Sequence, residues 1–144
     1  MTNVRKLDRD GLMAKLKQLV EAEKNNVSAQ IVCLKEVRRR KAHIEMGYPN
    51  LVAFCEQELG LTKDQAWKRS QAAGASEKEP QLLEMLKRGE TSVAALALVT
   101  PKLTEQTAVE IKAFIPNKSK REVEEFVSTL NRDGTRCAGK RTTV

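Results

Sequence analysis

The sequence predicts an all-α chain, a compact bundle of about seven to eight helices, on three observations. Apolar residues recur three and four apart along most of the 144 residues, the spacing that lines one face of a helix. The 7 glycines and 4 prolines are sparse and sit between those periodic stretches. Aromatic residues are few (Trp67, Tyr48, Phe54, Phe114 and Phe126), so the core must be Leu, Val, Ile, Met and Ala, which suits helices packed on helices.

Each element follows in order. Leu12, Leu16 and Leu19, with Met13 and Val20 beside them, predict a first amphipathic helix over residues 7–24, broken by Asn25-Asn26. Val27, Ile31, Leu34, Val37 and Ile44 predict a second helix ending near Gly47, so residues 1–47 read as a helical hairpin. Residues 48–130 read as a helix-turn-helix and helical core, packed with that hairpin as one domain. Pro49 suits the first turn of a third helix, whose inner face is Leu51, Val52, Phe54, Cys55 and Leu59. Gly60 can take the positive φ that ends it. Thr62 and Gln65 form a capping box for a fourth helix reaching about Gly74, with Ala66, Ser70 and Ala73 inward. A fifth helix starts at Glu79-Pro80, and Ser92 caps an apolar sixth that Pro101 stops. A seventh opens at Thr104, with Val109, Ile111 and Phe114 as its apolar face. Ser119 and Glu122 cap the last, which carries Val123, Phe126, Val127 and Leu130. Residues 131–144 lose periodicity and read as a disordered basic tail.

The net charge is +7 and the pI near 9.5, which favours an anionic partner such as nucleic acid. The stretch LGLTKDQAWKRSQAAG says how one could be met. Helix, glycine turn and basic helix make the layout of a helix-turn-helix, whose second helix enters the major groove. The recognition helix would span about residues 62–74. Thr62, Lys63, Trp67, Lys68 and Gln71 are the candidates for base edges, since Lys and Gln reach guanine and adenine and Thr reaches phosphate or a thymine methyl. Packing of Trp67 on the second helix is the competing reading. Arg69 suits a phosphate. Arg38, Arg39, Arg40, Lys118, Lys120 and Arg121 are further phosphate candidates, although cations at 38–40 also complement a helix C-terminus.

Catalytic patterns are weak. The one histidine, His43, reads as a partly exposed helical side chain. The sequence holds no Cys-x-x-Cys, no glycine-rich phosphate loop and no Gly-x-Ser-x-Gly. Neither a metal, a cofactor nor a small-molecule substrate is expected. Cys33 and Cys55 read as buried small hydrophobes, Cys137 as a thiol in the tail. Three scattered cysteines imply no disulfide framework and suit a reducing cytoplasm. No stretch approaches the ~18 apolar residues of a membrane span.

The segments LKEVRRRKAHIEMGYPNLVAFCEQELGLTKDQAWKRSQAA, LLEMLKRGETSVAALALVTPKLTEQ and KSKREVEEFVSTL resemble the helical, non-catalytic N-terminal region of bacterial HNH-endonuclease-like proteins. The resemblance covers about residues 34–130. The middle section also resembles the helix-turn-helix core of chromosome-partition-type DNA-binding proteins. Both resemblances imply DNA binding around Trp67, Lys68 and Arg69. The run RDGTRC at 132–137 is similar to the opening of the nuclease module, but the histidines that module needs are missing, so nuclease activity is not expected. The resulting expectation is a non-enzymatic protein of double-stranded DNA. The alternatives are a helical protein–protein module and an inactive nuclease relative acting as a regulator. A homodimer is expected through the last helix, with Phe126 and Val127 exposed for it.

Overall fold

A computed structural model describes residues 3–135. It is an all-α bundle of eight α-helices, with no β-strand among the described residues. The expected tail beyond residue 135, with Cys137, lies outside them. Asn131 and Thr135, at the start of that stretch, close a turn (Asn131 N–H to Thr135 C=O, 2.8 Å) in which Asp133 accepts from the Thr135 N–H and hydroxyl. Among the described residues, no helix is long and apolar enough to cross a membrane.

The predicted N-terminal hairpin is instead one helix. α1 runs over Arg9–Arg40, 32 residues, straight through Asn25-Asn26. Asn costs a helix only about 0.7 kcal/mol relative to Ala, far less than Pro. Asn26 also accepts from Gln30 one turn on (2.7 Å). The chain turns at Lys41 instead, which takes a left-handed φ of 57° and donates its N–H to Arg38 and Val37. α2 (Ala42–Glu45) follows, and with it His43 goes inside at 7% exposure, against expectation. Cys33 is exposed rather than buried.

α3 spans Leu51–Gln57. It starts two residues later than Pro49 suggests, because Asn50 caps it by accepting from the Ala53 N–H (2.8 Å). Leu59 lies past its end and is half exposed, so the inner face closes with Cys55. Gly60, at φ +69°, makes the turn. α4 covers Lys63–Lys78, and both bonds of the Thr62/Gln65 capping box are present at 3.1 Å.

α4 is the central strut of the bundle, packed on α1, α3, α5 (Pro80–Lys87) and α6 (Val93–Val99). Its second half holds a run of small residues, Ala72, Ala73, Gly74, Ala75 and Ser76, all buried. Small side chains let four neighbours come close at once. Gly74 does not end the helix; a Cβ there would collide with the Arg38 guanidinium.

α7 (Ala108–Phe114) and α8 (Lys120–Thr129) complete the body. Thr107, Ala108, Ile111 and Ile115 turn inward on α7, which leaves Val109 at 75% exposure, one position off the buried face. Leu82, Leu96, Leu103, Ile111, Ile115, Val123 and Leu130 are fully buried. Lys102 donates to the carbonyls of Leu130 (2.5 Å) and Val127 (3.4 Å) at the end of α8, the second of which also accepts from the Leu130 N–H. Phe126 is buried and stacks on Phe114, with centroids 4.2 Å apart, and Val127 is half-buried against the core. α8 therefore offers no open apolar face for the dimer expected there.

Candidate nucleic-acid interface

α3, the turn and α4 give the expected order of a helix-turn-helix, and they pack on each other. The opening of α4 and its last two residues, Glu77 and Lys78, reach the surface. Thr62 and Lys63 are exposed, and Trp67 keeps 41% of its surface in solvent. Residues 72–76 are core, so of the segment expected over 62–74 only the first two turns are open to solvent. That end is the one which meets base edges in this motif.

The candidates divide between two sides of α4. Lys63, Trp67 and Gly74 follow one another along one face, at spacings of four and seven. Arg38 joins that face from α1, its guanidinium lying against Gly74 while its Nε pairs with Glu77 at 3.1 Å. Gln71 is half-buried, and its backbone carbonyl accepts from the Thr100 hydroxyl (3.2 Å). Lys68 and Arg69 point to the other side. Lys68 pairs with Asp64 at 2.9 Å. Arg69 is partly buried, and its Nε has no hydrogen-bond partner. Burial pushes the Cys55 thiol pKa up, and the charge of Arg69 partly offsets that rise.

On this second side lies an open cleft of about 400 Å³ between α1, α4 and the turn from α5 to α6. Lys24, Lys68 and Arg69 line it with Glu23 and Asp64, and the buried hydroxyl of Thr91 there is also unpartnered. Sequence reasoning missed Lys24, because its partners across the cleft are distant in the chain. The inward turn of Arg69 was legible, since it sits between Ala66 and Ala73 on the inner face of α4.

The Gly89–Ser92 part of the cleft connects to the start of α8. The Asn117 N–H donates to the Glu90 carbonyl at 2.8 Å, which ties the α7–α8 turn to it. Lys118, Lys120 and Arg121 are exposed there. The ammonium of Lys118 stands 5.3 Å from the Phe114 ring centroid. Backbone and side-chain hydrogen bonds from Ser119 hold the Glu122 carboxyl below its ordinary pKa.

The arginine run is placed differently. Arg39 and Arg40 both pair with Glu36, at 2.5 and 2.6 Å. Hydrogen bonds from Arg39 first, then Arg40, lower the Glu36 pKa to about 2. All three arginines sit in the last turn of α1, where the helix dipole favours cations. Lys63, Lys120 and Arg121 instead stand in the first turns of their helices, where the dipole opposes them. They form no ion pair among the described residues.

No group of His, Cys, Asp and Glu among the described residues could hold a metal ion. The buried His43 has an unpartnered Nδ1. The fold and these surfaces define an all-α bundle in which α3, a glycine turn and α4 stand beside a set of cations. Comparison with protein-family models, curated proteins and solved structures gives no match.

Proposed function

We propose that this is a non-enzymatic DNA-binding protein that sets the opening of α4 into the major groove of a duplex. Thr62, Lys63 and Trp67 face the bases. Cations on the two sides of α4 meet the two phosphate backbones that border the groove, which is about 12 Å wide. Arg38 serves one side, with Arg39 and Arg40 behind it. Lys68 serves the other, continued by Lys118, Lys120 and Arg121.

The observation that supports this reading best is the placement of Lys63, Lys120 and Arg121. Unpaired cations at helix starts gain nothing from the fold, whereas a phosphate brought to them gains both the cation and the helix N-terminus. Arg39 and Arg40 are already accounted for by Glu36 and the end of α1, so their share is smaller.

A gel-shift assay with duplex DNA at low salt tests the reading. The Lys63→Ala/Trp67→Ala and Lys120→Ala/Arg121→Ala pairs should each weaken binding by about tenfold or more, since each removes one or two groove or phosphate contacts. The Arg39→Ala/Arg40→Ala pair should cost about threefold or less, its charges being held by Glu36. A wild-type protein that fails to shift duplex at micromolar concentration ends the proposal.

A further inference from the structure

The first half of α1 is a bare arm. All buried residues of α1 lie in its second half (Ser28, Ile31 and Leu34). The arm nevertheless carries a full apolar stripe. Leu12, Met13, Leu16, Leu19 and Val20 are exposed by 39–53%. At about 100° per residue they fall within about 60° of Leu16 on either side. Few helices of this length hold in water without a partner on such a face.

The stripe is complementary to itself. Arg9 and Glu23 stand on the same face, each two heptad-like turns from Leu16, one before it and one after. In an antiparallel pair centred on Leu16, Leu12 meets Leu19 of the second copy and Met13 meets Val20. Arg9 then faces Glu23, and Asp10 lies beside Lys24. By two-fold symmetry every such contact occurs twice. None of these four charged residues has an ion-pair partner in its own chain among the described residues. Lys15 and Lys17 point about 100° away from Leu16, one to each side.

We infer that the arm is the dimerisation element of this protein, pairing antiparallel with the arm of a second copy about an axis at Leu16. This stands whether or not the chain binds DNA. It moves the self-association expected of α8 to α1, where an apolar face is open.

Sedimentation equilibrium tests it. At about 50 μM, where mass action favours association, the wild type should weigh twice 16.1 kDa. Leu16→Glu puts two carboxylates together at the axis and should weaken association at least about 100-fold, with an unchanged circular dichroism spectrum from the body. Arg9→Glu and Glu23→Arg should each weaken the dimer, and the double exchange should restore it. In a parallel pair Arg9 meets Arg9, so neither single exchange would matter. A wild type that stays monomeric at this concentration, or a dimer indifferent to Leu16→Glu, overturns the proposal and hands the stripe to another occupant. A dimer that Leu16→Glu breaks but the double exchange does not restore overturns the antiparallel register.

Discussion

Residues 9–26 and 27–40 of α1 carry apolar side chains at the same helical spacing, yet Leu16 and Leu19 are each 53% exposed while Ile31 is fully buried. α1 packs on α4 and α5, and all of its buried residues (Ser28, Ile31 and Leu34) lie in the second half. Periodicity reports that one face of a helix is meant to be covered. It does not report by what. In the body the cover is the chain's own α4, whose small residues leave room for α1 to approach. On the arm the cover must come from outside.

The largest effect that separates the halves is in the core. Ile31→Ala should lower unfolding stability by about 2–5 kcal/mol, read by urea denaturation. Leu16→Ala, in protein dilute enough to be monomeric, should stay within about 0.5 kcal/mol of wild type. Equal losses would mean that the arm is packed on the body after all.

Hydrogen exchange sharpens the contrast. The amides around Ile31 should open only with global unfolding, at any protein concentration. Those from Leu12 to Val20 should exchange fast in dilute protein and slow as concentration rises. Uniform protection along α1 would erase the distinction between arm and body.

Caps should behave in the same way. Thr62→Ala removes a capping box from the central helix and should cost about 1 kcal/mol of global stability. Asp8 caps α1 by accepting from the Gly11 N–H at 2.8 Å. Its replacement by Ala should fray the arm and leave the denaturation midpoint nearly unmoved, because the arm is not coupled to the core. A loss as large as that of Thr62→Ala would count against that view.

The smallest effect concerns the other end of α1. The folded Glu36 pKa is depressed from 4.5 to about 2 by its bonds from Arg39 and Arg40. A depressed carboxylate stabilises the fold fully above its unfolded pKa and loses that contribution as pH falls from about 4.5 through about 2. The pair is exposed, so solvent screens it and the change in stability is slight. An NMR titration of the Glu36 carboxyl should find the low midpoint, and Arg39→Ala/Arg40→Ala should return it toward 4.5.

The all-α class and most helix starts were legible in the sequence because their signals are local. Thr62 with Gln65 and Ser119 with Glu122 close their capping boxes with no help from the rest of the chain. The misplacements share a different cause. Asn25-Asn26 suggested a break, but a pair of Asn residues merely weakens a helix, and the real turn falls on Lys41, a residue type that announces no left-handed φ. That turn sends His43 inside. The division of the cations was hidden for a similar reason. Which side of α4 receives Lys24 or Arg38 depends on how α1 crosses it, and no spacing within α1 encodes that crossing.

The salt dependence of duplex binding tests the functional account most directly. Fluorescence anisotropy with a labelled duplex should show affinity falling by about three orders of magnitude between 50 and 200 mM salt, if ~6 phosphates are neutralised. An affinity that stays flat across that range would contradict the assignment of these cations to a phosphate backbone.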